Sequence, residues 1–209
     1  MAPIIEVSDE TLRTLNPTVY TLRNDLISRK NESGPIYVPS INANVSGERT
    51  HQRENWYVAH EALAKDKLEM LTPKEYVEFL KYSRENHPEV YEDIVSVRDP
   101  WRAEWIDAFF EKKKDGLYIL THNKSNAEKL SQDTLMEDRK ISLESWLENP
   151  TSQGLPRKDA EEGSLYYWHP RSDTVAGLGA GSVRAGFDCG GDPLGRGPDL
   201  GVRVSKKRE

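Results

Sequence analysis

From Val175 to Gly190 two kinds of residue alternate along the chain. Val175, Ala176, Leu178, Ala180, Ala185, Phe187 and Cys189 are small or apolar, and Gly177, Gly179, Gly181, Val183, Arg184, Gly186, Asp188 and Gly190 fall between them. Successive side chains of an extended backbone point to opposite faces. A segment of this kind puts its first set into a core and offers the second to solvent, so it constrains the C-terminal part of the chain to a half-buried sheet.

Residue types narrow the matter further. From Arg171 to Ser205 there is no Lys, Glu, Gln, Met or Trp, and every charge is Asp or Arg. Lys and Glu are abundant elsewhere and return at Lys206 to Glu209. The missing types are those whose codons must end in a purine. Mutagenesis of the adenines in AAC or AAT codons leaves this pattern behind.

The segment resembles the variable region of proteins diversified by a diversity-generating retroelement, the archaeal and archaeal-virus members above all. The scaffold pattern of that family is matched at Val175, Ala176, Ala180, Ser182, Ala185, Cys189 and Pro193, and again at Leu200 to Arg203. It is departed from at Leu178 and Phe187, both volume-tolerant apolar swaps. The resemblance is sharpest over roughly the last forty residues. It implies an α+β chain with a C-type lectin fold of the formylglycine-generating-enzyme-like type, with variable residues on short C-terminal strands and loops. The final strand, around Leu200 to Val204, is then expected to pair back into the core. Residues 1–33 read as an N-terminal extension and 34–209 as the lectin-like domain, with a variable region of about 172–199.

The resemblance also implies a function, recognition of a protein or glycan on a cell or virus through a hypervariable surface. The contact residues it implies are Asp173, Thr174, Gly177, Gly179, Gly181, Val183, Arg184, Gly186, Asp188, Gly190, Gly191, Leu194, Gly195, Arg196 and Gly197. Arg184 and Arg196 are the first candidates to carry affinity, because Arg is enriched at hot spots. Val183 and Leu194 supply apolar contact. So many glycines offer little contact area, and the expectation is weak binding or an unselected variant.

Other readings of the glycines fit less well. A flexible linker does not need regular apolar positions. A phosphate loop needs Gly-x-Gly-x-x-Gly between strand and helix, or Gly-Lys-Ser/Thr, and neither occurs. A net charge of −6 argues against a nucleic-acid partner. No run of about 18 apolar residues marks a membrane span, and the N-terminus lacks the pattern of a secretory signal. The expectation is cytosolic synthesis, as a free protein or a virion component, with a monomer favoured.

The single cysteine, Cys189, cannot form an intramolecular disulfide or a cysteine-based zinc site. Its register makes it a small buried hydrophobe rather than a reactive thiol. The five histidines, His51, His60, His87, His122 and His169, show no ligand spacing. His169 borders the variable segment and reads as structural. Asp188 and Asp192 do not amount to a calcium site, which needs six or more oxygens. No cofactor or metal is expected, nor catalysis. An enzyme on a lectin-like scaffold stays as the alternative and predicts a deep pocket of convergent polar groups. A third reading is a virion attachment protein docking through residues 1–33.

Upstream, Ile36 to Val38 reads as a strand stopped by Pro39, and Trp56 to Lys67 as a helix. Thr72-Pro73-Lys74-Glu75 is a capping box, which predicts a helix from Pro73 to about Glu85. Asp99-Pro100 looks like a second helix start, with Trp101, Trp105, Ala108 and Phe109 as a buried aromatic stripe and Lys112 to Lys114 at the helix end. Leu117 to Leu120 reads as a strand. Ser142 caps a helix over Leu143 to Leu147, stapled by Ile141 and Trp146. Leu165 to Trp168 is a β-prone run.

Overall fold

The computed structural model describes residues 34–208; the expected extension at 1–33 lies outside them. The described residues form a mixed α+β structure with two sheets and four α-helices. From Pro35 onward they make one compact unit.

Three helices start where local chemistry allows. In α1 (Trp56–Lys65) the Asn55 side chain accepts from the Val58 amide. In α2 (Pro73–Asn86) Thr72 and Glu75 form a reciprocal capping box, so two otherwise unpaired amides are satisfied. Helix α3 (Pro88–Val95) follows α2 directly, without a side-chain cap and with Pro88 at its first position. In α4 (Leu143–Glu148) Ser142 caps the Ser145 amide, and Ile141 and Trp146 are buried in one core.

The smaller sheet takes the order β1-β2-β12-β3, from β1 (Ile36–Val38), β2 (Ala43–Val45), β3 (Glu69–Met70) and β12 (Val204–Lys207). The larger runs β6-β5-β4-β9-β10-β8-β7. Its strands are β4 (Arg102–Lys113), β5 (Gly116–Thr121), β6 (Asn126–Lys129), β7 (Arg139–Ile141), β8 (Leu165–Trp168), β9 (Thr174–Ala180) and β10 (Ala185–Gly191). A short β11 (Leu200–Val202) pairs in parallel with the start of β4. The last residues therefore serve both sheets, through β11 on one and β12 on the other.

One expectation fails here. The segment after Asp99-Pro100 is not a helix but β4, the longest strand, and its first nine residues are buried. Ile106, Ala108 and Phe110 enter the core beneath α2 and α4, while Ala103, Trp105 and Phe109 enter a second cluster with Trp56 and Leu63. A strand covered on both faces carries apolar residues in both registers, so its period of two is hidden. The spacing of Trp101, Trp105, Ala108 and Phe109 matched a helix by coincidence. Trp101 itself is not core: it is 47% exposed. Lys112 and Lys113 end the strand at a hairpin rather than a helix, with Lys113 Nζ 4.5 Å from the Tyr118 ring centre.

A buried ion pair ties the C-terminus to β4. Arg203 Nε and Nη2 donate to Glu104 at 3.0 and 2.6 Å, and Tyr76 Oη donates to the same carboxylate at 2.9 Å. Arg203 Nη1 also donates to the carbonyls of Ser46 and Gly47. Burial, then the adjacent Glu104, pushes the Tyr76 hydroxyl well above its ordinary pKa. With these partners the two buried charges are compensated.

Candidate functional site

β9 and β10 form an antiparallel hairpin, closed where the Gly181 amide donates to the Arg184 carbonyl at 2.8 Å. Ala176, Leu178, Phe187 and Cys189 point into the main core, as their alternation requires. Phe187 stacks on Trp146 with ring centres 4.5 Å apart. Burial drives the Cys189 thiol far above its ordinary pKa, which matches a packing role rather than a reactive one.

The opposite face carries the site. Paired residues of neighbouring strands share a face, and two cross-strand rows follow from the register. One runs Ala103, Gly179, Gly186, Tyr166; the next runs Trp105, Gly177, Asp188, Trp168. The outer strands bear Trp105 and Trp168 in the second row and Ala103 and Tyr166 in the first, while the middle strands bear glycine, or glycine and Asp188. The sheet is notched along its centre, and an open groove of about 510 Å³ results.

Tryptophan rings occupy much of what glycine vacates. A Cβ built at Gly186 would lie 2.5 Å from Trp168 Cζ3. One at Gly181 would lie 3.1 Å from Trp101 Cδ1, and one at Gly191 3.4 Å from Trp105 Cζ3. Trp105 is anchored through Nε1 to the Glu54 carbonyl at 3.1 Å. Trp168 stacks with Tyr166, and the Arg184 guanidinium sits 5.2 Å from the Trp168 ring centre and 4.8 Å from that of Tyr166.

Eight of the fifteen groove-lining residues are among those the sequence marked: Gly177, Gly179, Gly181, Val183, Arg184, Gly186, Asp188 and Gly191. Gly195 and Gly197 flank Trp105 and Trp101. Leu194 and Arg196 are exposed on the following loop, which is held where the Trp56 amide donates to the Pro193 carbonyl. Asp173, Thr174 and Gly190 lie outside the groove, toward Arg171. Thr174 Oγ1 lies within hydrogen-bond reach of the Arg171 and Cys189 carbonyls, at 2.8 and 2.7 Å, and a Cβ at Gly190 would meet Arg171 Nη1 at 2.7 Å. Gly186 departs from the expected display, because it is buried beneath Trp168.

Sequence reasoning missed Trp101, Trp105, Trp168 and Asp99 as groove residues. The spacing of Trp101 and Trp105 suggests a helix, and the run ending at Trp168 reads as a strand leading into the segment. A signal existed only for Trp168, whose β-prone run precedes the glycines directly.

Asp188 Oδ1 accepts from the Gly190 amide at 2.7 Å, and burial holds its carboxyl above the ordinary value. His169 Nδ1 lies 2.6 Å from Asp138, which also accepts from Arg171 Nη2 at 2.6 Å. Burial acts upward on Asp138, but the His169 and Arg171 hydrogen bonds outweigh it and hold the carboxyl below its usual range. His169 thus has a structural partner and does not line the groove. Among the described residues no three His, Cys, Asp or Glu side chains converge as a metal site, and no helix is long and apolar enough to cross a membrane.

The chain matches no protein-family model, no curated protein and no solved structure.

Proposed function

We propose that this protein is a ligand-binding module whose groove and rim are diversified by a retroelement acting on adenines. It displays them on a C-type lectin scaffold of the formylglycine-generating-enzyme-like type. The carrying observation is that two independent partitions coincide. Residue-type restriction marks the window from Arg171 to Ser205, and within β9, β10 and their turn seven of the eight positions between the apolar ones, all but Gly190, line the groove. Of the residues that match the family's scaffold pattern, Val175, Ala176, Ala180, Cys189 and Leu200 to Arg203 are buried, Ala185 and Pro193 are half-buried, and Ser182 is exposed at the groove. Substitution at exposed groove positions such as Val183 and Arg184 then leaves the core intact.

The groove tempers the expectation of weak binding. Glycine contributes little area itself, but it opens a concavity with aromatic walls, and aromatic side chains carry large contact energies.

The gene neighbourhood tests this reading. A reverse-transcriptase gene and a near-copy of the 3′ end of this gene, differing from it at adenines, are expected beside it. A neighbourhood with neither contradicts diversification.

A further inference from the structure

We infer that the groove takes a sugar ring, stacked on the Trp101 indole and hydrogen-bonded by Asp99, Arg184 and Asp188. This rests on the reading of the groove as a ligand site. It adds that the ligand has a constant element, the ring met by Trp101 and Asp99, because Asp99, Trp101, Trp105 and Trp168 all lie outside the diversified window while Arg184 and Asp188 lie within it.

The indole of Trp101 is held by glycine. Ideal Cβ atoms at Gly179, Gly181 and Gly197 would fall 3.5, 3.1 and 3.6 Å from its atoms. Even so held, it is 47% exposed, the one aromatic side chain among the exposed large hydrophobic residues of the described chain. An indole left open at the mouth of a groove is a stacking platform for the apolar C–H face of a ring.

The polar groups narrow the class. Asp99 and Asp188 offer acceptors and Arg184 offers donors around the same groove. An anionic ligand would meet two carboxylates, and a wholly apolar one would strip water from all three groups without replacing their hydrogen bonds. A polyhydroxylated ring donates to the carboxylates and accepts from the guanidinium. A peptide adding as an extra strand has no free edge here, since β9 is paired with β4 and β10, and β10 with β9 and β8. The groove's volume of about 510 Å³ suits a compact ligand.

Saturation-transfer NMR on the full chain, with the methyl glycosides of glucose, galactose, mannose and N-acetylglucosamine, tests the assignment. At least one should receive saturation on its ring C–H protons, with a Kd on the order of 1 mM. Trp101→Ala should weaken it by about tenfold or more, Trp101→Phe by less, and Met136→Ala, at an exposed position outside the groove, not at all. Arg184→Ala gives a second arm independent of any effect of Trp101 on folding. Binding by none of the four, or unchanged binding in both Trp101→Ala and Arg184→Ala, overturns the inference. So does selection of Trp101-dependent peptides from a displayed library without sugar binding, which leaves the ligand-site reading standing with a protein partner. Sugar binding without a neighbouring retroelement would overturn diversification instead and leave the sugar site intact.

Discussion

The two faces of the β9–β10 hairpin are built from the same strands, one residue out of step, and they differ in almost every physical respect. On one face Leu178, Phe187 and Cys189 are fully buried among Trp146 and Tyr167. On the other, Gly177, Gly179 and Gly186 leave a notch that Trp101, Trp105 and Trp168 partly fill from neighbouring elements. Close packing makes the first face sensitive to a single methylene. The second contributes few contacts of its own, so sequence change is cheap at Val183 and Arg184, whereas an added Cβ at Gly177, Gly179 or Gly191 would sit 3.0–3.1 Å from the backbone oxygens of Glu104, Arg102 and Val175. A sheet can therefore separate foldability from recognition by register alone.

Substitutions on the core side should have the largest effect. Phe187→Ala removes the ring stacked on Trp146 and should cost about 3–5 kcal/mol in urea unfolding. Arg203→Leu strands the buried Glu104 carboxylate and should also cost about 3–5 kcal/mol. A cost below about 1 kcal/mol for either would erase the contrast between the faces.

Next comes Gly186, the one buried residue among the fifteen positions marked in the sequence. Gly186→Val forces a side chain against Trp168 and should cost about 1–3 kcal/mol. In a Trp168→Ala background much of that cost should vanish. An undiminished cost in the double mutant would place the constraint in the backbone rather than in the ring.

Asp188 sharpens the contrast through pH. Burial raises its folded pKa above the ordinary 3.8, so the folded state holds this proton more tightly than the unfolded state does. The sign follows: ionisation costs stability as pH rises from the ordinary value through the folded one, and the cost persists above it. Asp188→Asn should therefore raise Tm relative to the parent at neutral pH, with the difference shrinking on acidification to about pH 3. A lower Tm at neutral pH would mean that Asp188 is stabilised by a partner rather than penalised by burial.

The smallest effect belongs to Val183, 85% exposed at the hairpin tip. Val183→Lys should change stability by less than about 0.5 kcal/mol. A larger loss would show that the tip contributes to folding.

Much of the fold was legible where local chemistry decides it. The Thr72–Glu75 capping box, the Ser142 cap and the alternation of β9 and β10 each report on backbone a few residues away. The site was half legible for the same reason, since its glycines and Arg184 sit in that alternation. β4 was misread because burial on both faces removes periodicity. Trp101, Trp105 and Trp168 were missed as groove residues because their role comes from cross-strand neighbours. Gly177 faces Trp105 across a pairing about seventy residues apart in sequence, and Asp188 faces Trp168 across a parallel pairing of β10 with β8. No local pattern encodes such pairings.

Sequencing this locus across a natural population tests the division of labour between the two faces most directly. Diversified display predicts substitutions concentrated at Gly177, Gly179, Gly181, Val183, Arg184, Asp188, Gly191, Leu194 and Arg196, with Val175, Ala176, Phe187, Cys189 and Arg203 unchanged. Substitutions falling on Phe187 and Cys189 as often as on Val183 and Arg184 would contradict it.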